Sequence, residues 1–146
     1  MRARVALAGA VALAMLGLTG CGHGPSYCDA VKSHQAALGS LAGGNDRTAL
    51  IQALPIFDDL HAKAPGDVAD DWQLVITRIR ALESALTKAG VDPSTYDPKH
   101  PPTGTTAEDR ALIRRAAAEL AAPDAQQALA SVQQEVLDVC HTPLDL

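Results

Sequence analysis

Between residues 67 and 89 the apolar side chains Val68, Trp72, Val75, Ile79, Leu82 and Leu86 recur at steps of four, three, four, three and four. Only an α-helix, with about 3.6 residues per turn, gathers residues so spaced into one stripe. A stripe of that length must be buried, and its spacing is that of a helix face packed in a bundle. Asp67, Asp70 and Asp71 crowd the first turns, where negative charge complements the helix dipole. Gly90 supplies the left-handed residue at which such a helix stops.

The rest of the chain repeats the signal. Residues 26–42 place Tyr27, Val31, Leu38 and Leu41 on one face, and Gly43-Gly44-Asn45 closes the segment. Residues 46–64 repeat Leu50, Leu54, Phe57 and Leu60, with Pro55 inside the pattern. Proline lacks the backbone donor and crowds the preceding turn, which predicts a kink or break near residues 51–55. Residues 91–105 carry four prolines and no periodicity. Thr105-Thr106-Ala107-Glu108 reads as a capping box opening a fourth helix to about Leu120. Ala122-Pro123-Asp124 opens a fifth, in which Leu129, Val132, Val136 and Val139 face inward up to Cys140.

No segment alternates as a half-buried strand does, and there is no internal repeat. The expected fold is all-α, an up-and-down bundle of four or five helices. Aromatic residues make up only 3% of the chain, so its core must be built mainly of small aliphatic side chains.

The N-terminal segment is of another kind. Arg2 and Arg4 precede Val5–Leu18, a run without one polar side chain. The run is shorter than the about 20 residues a spanning helix needs, and it reads as a secretory signal. It ends in Leu18-Thr19-Gly20-Cys21. That tetrapeptide resembles the lipobox of bacterial lipoprotein precursors, whose cysteine is acylated before the signal is removed. The resemblance implies a signal peptide over 1–20, acyl chains such as palmitate on Cys21, a tether over 21–25 and a helical domain over 26–146. Two acyl chains at about 0.8 kcal/mol per buried methylene make such anchoring stable.

With Cys21 assigned to lipid, Cys28 and Cys140 remain as an even pair in an exported chain, where thiols are oxidised. They lie far apart in sequence, at the two ends of the helical domain. That position reads as a structural staple, since a redox-active pair is expected close in sequence. It makes the first and last helices neighbours.

The tetrapeptide, together with "YCDAV", "ALPIFDDLHAKAPGDVADDWQLV", "GVDPSTYDP" and "VCHTP", resembles small lipoproteins of GC-rich Gram-positive bacteria over residues 18–143. The resemblance implies an envelope location on the extracytoplasmic face of the cell membrane. It carries over no activity and no functional residue.

Composition narrows the function further. The chain has 17 acidic against 12 basic residues, and loss of residues 1–20 removes two of the arginines. So acidic a domain does not suit nucleic acid or a polybasic contact with lipid.

No cofactor motif or catalytic constellation is present, and the chain reads as a non-enzyme. The histidines His23, His34, His61, His100 and His141 are scattered, none paired at helical spacing. Asp58, His61, Asp67 and Asp71, with Asp59 and Asp70, form the densest polar stretch. Converging carboxylates with one histidine could hold a divalent cation, yet the spacing matches no metal-binding loop, so the stretch reads as dipole partners and solvated surface.

Trp72 belongs either to the core or to a partner's groove as an anchor. The loop 91–105 is long for a connection, with Tyr96, Lys99 and His100 expected to project from it as an interaction surface or to ride on a stiff crossover. The function these features suggest is that of a membrane-anchored module binding another envelope component. The alternative is a carrier holding a metal ion or a small apolar ligand in a cavity lined by Ala, Leu and Phe57.

Overall fold

The structure, a computed structural model, describes residues 25–44 and 46–144 of the chain. The expected signal peptide, Cys21 and the tether up to Gly24 lie outside the described residues. Five helices follow one another: α1 Pro25–Gly43, α2 Ala49–Lys63, α3 Ala69–Lys88, α4 Ala107–Leu120 and α5 Pro123–Cys140. All regular structure among the described residues is helical, as the periodicity requires.

The central helix is α3, which packs against α2, α4 and α5, while α1 packs against α2 and α5. Its buried face holds Trp72, Val75, Ile76, Ile79 and Leu86. Ile76 widens the expected stripe because α3 is covered from more than one side. Trp72 and Phe57 meet with ring centroids 5.5 Å apart, and the Trp72 indole N–H donates to the Tyr27 hydroxyl at 3.0 Å. Tyr27, Phe57 and Trp72 are fully buried, and around them pack Val31, Leu38, Leu60, Val132 and Val136. Burial holds the Tyr27 phenol above its ordinary pKa, so the hydroxyl that accepts from the indole stays neutral.

Helix ends follow local chemistry. Ala64 is extended because Pro65 follows it, and α2 stops there. Asp46 receives the Thr48 amide and hydroxyl and the Gln52 amide, so the chain turns once more before α2 begins at Ala49. Pro55 does not break α2: the helix runs through it. The proline is on the exposed face, where water can reach the carbonyl that loses its partner. Leu50, expected inside, is exposed, and Ala53 is buried in its stead.

The capping box of α4 is displaced by one residue. Thr106 accepts from the Asp109 amide and Asp109 accepts from the Thr106 amide, each at 3.1 Å. Thr105 instead donates its hydroxyl to Pro102 O and closes the preceding turn.

α4 and α5 divide α3 between them. Ile113 of α4 packs with Leu86 near the C-terminal end of α3, and Val132 and Val136 of α5 join the core around Trp72. At the corner between the two helices, Arg78 of α3 donates to Glu119 at 2.6 Å and to Asp124 at 3.2 Å. One guanidinium therefore fixes the last turn of α4 and the first turn of α5 to the middle of α3.

Cys28 and Cys140 are joined, 112 positions apart in sequence. Closing a loop that long removes denatured-state entropy worth about 4–5 kcal/mol in the chain-entropy model. Replacing both cysteines by serine is expected to lower the unfolding free energy by about 2–5 kcal/mol, measured by urea unfolding of the oxidised protein and the variant.

Candidate functional site

The acidic stretch around the α2–α3 turn resolves into separate pairs. Asp58 accepts from Arg80 Nη2, 2.7 Å to Oδ1 and 2.5 Å to Oδ2. Asp59 accepts from His34 Nε2 at 3.0 Å and pairs with Lys63 one turn on. These bonds, Lys63 first and His34 second, hold the Asp59 carboxyl below its ordinary pKa. Asp70 and Asp71 sit in the first turn of α3, as dipole complementarity predicts. Asp58, His61, Asp67 and Asp71 do not converge: among the described residues no three His, Cys, Asp or Glu side chains stand together as metal ligands.

Trp72 is not a surface anchor. Its side chain is 0% exposed and its one polar atom is already bonded to Tyr27. A partner could reach it only by opening the core. Phe57, expected to line a ligand cavity, is equally buried against Trp72, so the aromatic rings fill the middle of the bundle themselves.

The loop 91–105 is a string of closed turns. Gly90 takes φ 64°, and the amides of Gly90 and Val91 bond back to Thr87 O and Leu86 O. This is the six-residue helix stop in which the residue after the glycine packs on the last turn, here Val91 on Leu86. Asp92 then accepts from the Ser94 amide and hydroxyl, and Asp97 from the Lys99 amide and His100 Nδ1.

Tyr96 does not project. It is only 8% exposed and packs on Leu86, Val91 and Ile113 as a second small core. Its carbonyl accepts from Arg47 at 3.3 Å, tying the loop to the start of α2. Lys99 and His100 do face solvent. The loop is thus pinned by Tyr96, and its Lys99 and His100 side chains ride outside.

A groove between α3 and α4, absent from the sequence-based expectations, has a volume of about 420 Å³. On α3 it is lined by Arg78, Ala81, Ser84, Ala85 and Lys88, and on α4 by Leu112, Arg115, Ala116 and Glu119. The α3 set steps by three, three, one and three and the α4 set by three, one and three, so each is a single helix stripe. The signal was present as Leu112, out of phase with the buried Ile113, and as alanines on the far side of α3 from Ile79. A second groove, of about 370 Å³ beside Leu38, Leu50 and Leu129, lies between α1, α2 and α5.

Two measurements check this arrangement. Tyr96→Ala removes the centre of the second core and is expected to lower stability by about 3 kcal/mol in urea unfolding while the helix content stays unchanged. The carboxyls of Asp46, Asp59, Asp97 and Asp109 are held below the ordinary range, chiefly by hydrogen bonds. Groups whose folded pKa is depressed stabilise at pH above the unfolded value and lose that contribution as pH falls through the folded one. Stability followed by thermal unfolding is therefore expected to be flat from neutrality to about pH 5 and to decline below about pH 4.

The chain matches no family model, and neither a curated protein nor a solved structure shows significant similarity to it.

Proposed function

We propose that this protein is a lipid-anchored helical module, held by acyl chains on Cys21 at the extracytoplasmic face of a bacterial membrane, which acts by binding another envelope component. The observation that carries the reading is the tetrapeptide Leu18-Thr19-Gly20-Cys21 at the end of the apolar run, with helix α1 starting at Pro25 directly after it. Acylation there would leave a tether of only Gly22, His23 and Gly24 between lipid and domain. Anchoring confines the domain to a surface and raises its effective concentration for membrane-bound partners. No helix among the described residues is long and apolar enough to cross a membrane, so in this reading the acyl chains alone hold the domain there.

The binding role draws support from a domain whose surface carries shaped grooves and whose core is filled by its own side chains. Cys21→Ser is expected to move the protein from the membrane pellet to the soluble fraction and to leave its unfolding curve unchanged. Retention of the variant in pellets washed with high salt would sink the anchor. Cross-linking of the C-terminally tagged full chain in intact cells is expected to capture one reproducible envelope partner, and capture of none would sink the binding role.

A further inference from the structure

We infer that the α3–α4 groove is the docking site for an acidic amphipathic helix of a partner protein. The inference rests on the binding role proposed above and specifies its surface. Shape is the first argument. The walls are one stripe of each helix, which leaves a channel between neighbouring helices, the form into which a third helix packs. The floor is alanine, from Ala81 and Ala85 on one side and Ala116 on the other, so a visiting helix can approach closely. Leu112, 46% exposed, stands on the rim with much of its apolar surface open to solvent.

Charge supplies the partner's chemistry. The chain has more acid than base, and several of its cations have found carboxylates: Lys63 meets Asp59, Arg78 meets Glu119 and Asp124, and Arg80 meets Asp58. Lys88 and Arg115 line the groove from opposite walls, both exposed and neither in an ion pair among the described residues. At the other end Glu119 is neutralised by Arg78. The groove is thus a cationic channel in an acidic protein, complementary to a helix bearing leucine-like residues on one face and carboxylates beside them.

Position favours a protein over a lipid surface. Trp72 meets Tyr27 near the end where the chain enters α1. Lys88 lies about 24 Å further along α3, at about 1.5 Å per residue. A bilayer holding Cys21 would face the opposite end of the bundle.

The test uses the purified full-length chain and a synthetic helical peptide with leucine at every third and fourth position and glutamate on both flanks. Fluorescence anisotropy is expected to show binding that weakens about tenfold or more in Lys88→Glu/Arg115→Glu. The control Lys32→Glu/Lys99→Glu, which changes exposed cations outside the groove, is expected to bind as the parent does. Absence of binding, equal binding of a lysine-for-glutamate peptide, or equal loss in the control would overturn the inference. So would binding to anionic phospholipid vesicles that the groove substitutions abolish while peptide binding persists. A dimer in light scattering that those substitutions dissociate would assign the groove to a second copy of this chain. If Lys88→Glu/Arg115→Glu still captures the same partner in cells, the binding role stands and the groove falls. If the peptide binds and no partner is captured, the groove stands and the role falls.

Discussion

The hydrogen bond from Trp72 to Tyr27 holds three helices to a common centre. Its two aromatic rings come from α3 and α1, and Phe57 of α2 closes on the indole from the side. In a chain this poor in aromatic residues, these side chains supply much of the large apolar surface available. The bond also satisfies two polar atoms that burial would otherwise strand, at a cost of about 1–3 kcal/mol each. A phenylalanine at either position would keep most of the area and strand the other partner's polar group. The disulfide then closes the same end of the bundle one residue beyond Tyr27.

Farther along α3 the packing changes character. The second core is small, built from Leu86, Val91, Tyr96 and Ile113, and the α4–α5 corner is held by ion pairs of Arg78. Those pairs are partly exposed, and pairs of that kind contribute little stability. They fix orientation instead, setting where α4 ends and α5 begins. The proposed docking groove lies in this thinner half, where α3 is covered by α4 and keeps a free stripe of small residues.

The helices were legible because each carries its own period. The limits read for α1, α3, α4 and α5 agree with the structure to within one or two residues. The staple was legible from cysteine parity. What local pattern could not supply was the facing of single residues. Pro55 is predicted to break α2, and the helix runs through it because the proline itself lies on the exposed side, where water can bond the carbonyl that loses its partner. Tyr96 sat among prolines and polar residues, and only the fold back of the chain onto Leu86 and Ile113 turns it inward. The Arg78 corner joins residues 41 and 46 positions apart, a separation no spacing rule reaches. The groove has no such signature, because its floor is Ala81, Ala85 and Ala116, residues that periodicity reads equally well as core or as surface.

The disulfide also decides how the domain meets mechanical force. Tension entering the chain ahead of Cys28 and leaving it beyond Cys140 passes from one cysteine to the other through the sulfur–sulfur bond. Helices α2, α3 and α4, with nearly all of α1 and α5, lie inside the closed loop and carry none of that load. A domain strung between an anchor at one terminus and a grip at the other would lengthen only by its few residues outside the crosslink. Its core, and any surface built on α3 and α4, would keep its form under a pull that unravels an uncrosslinked bundle of the same helices.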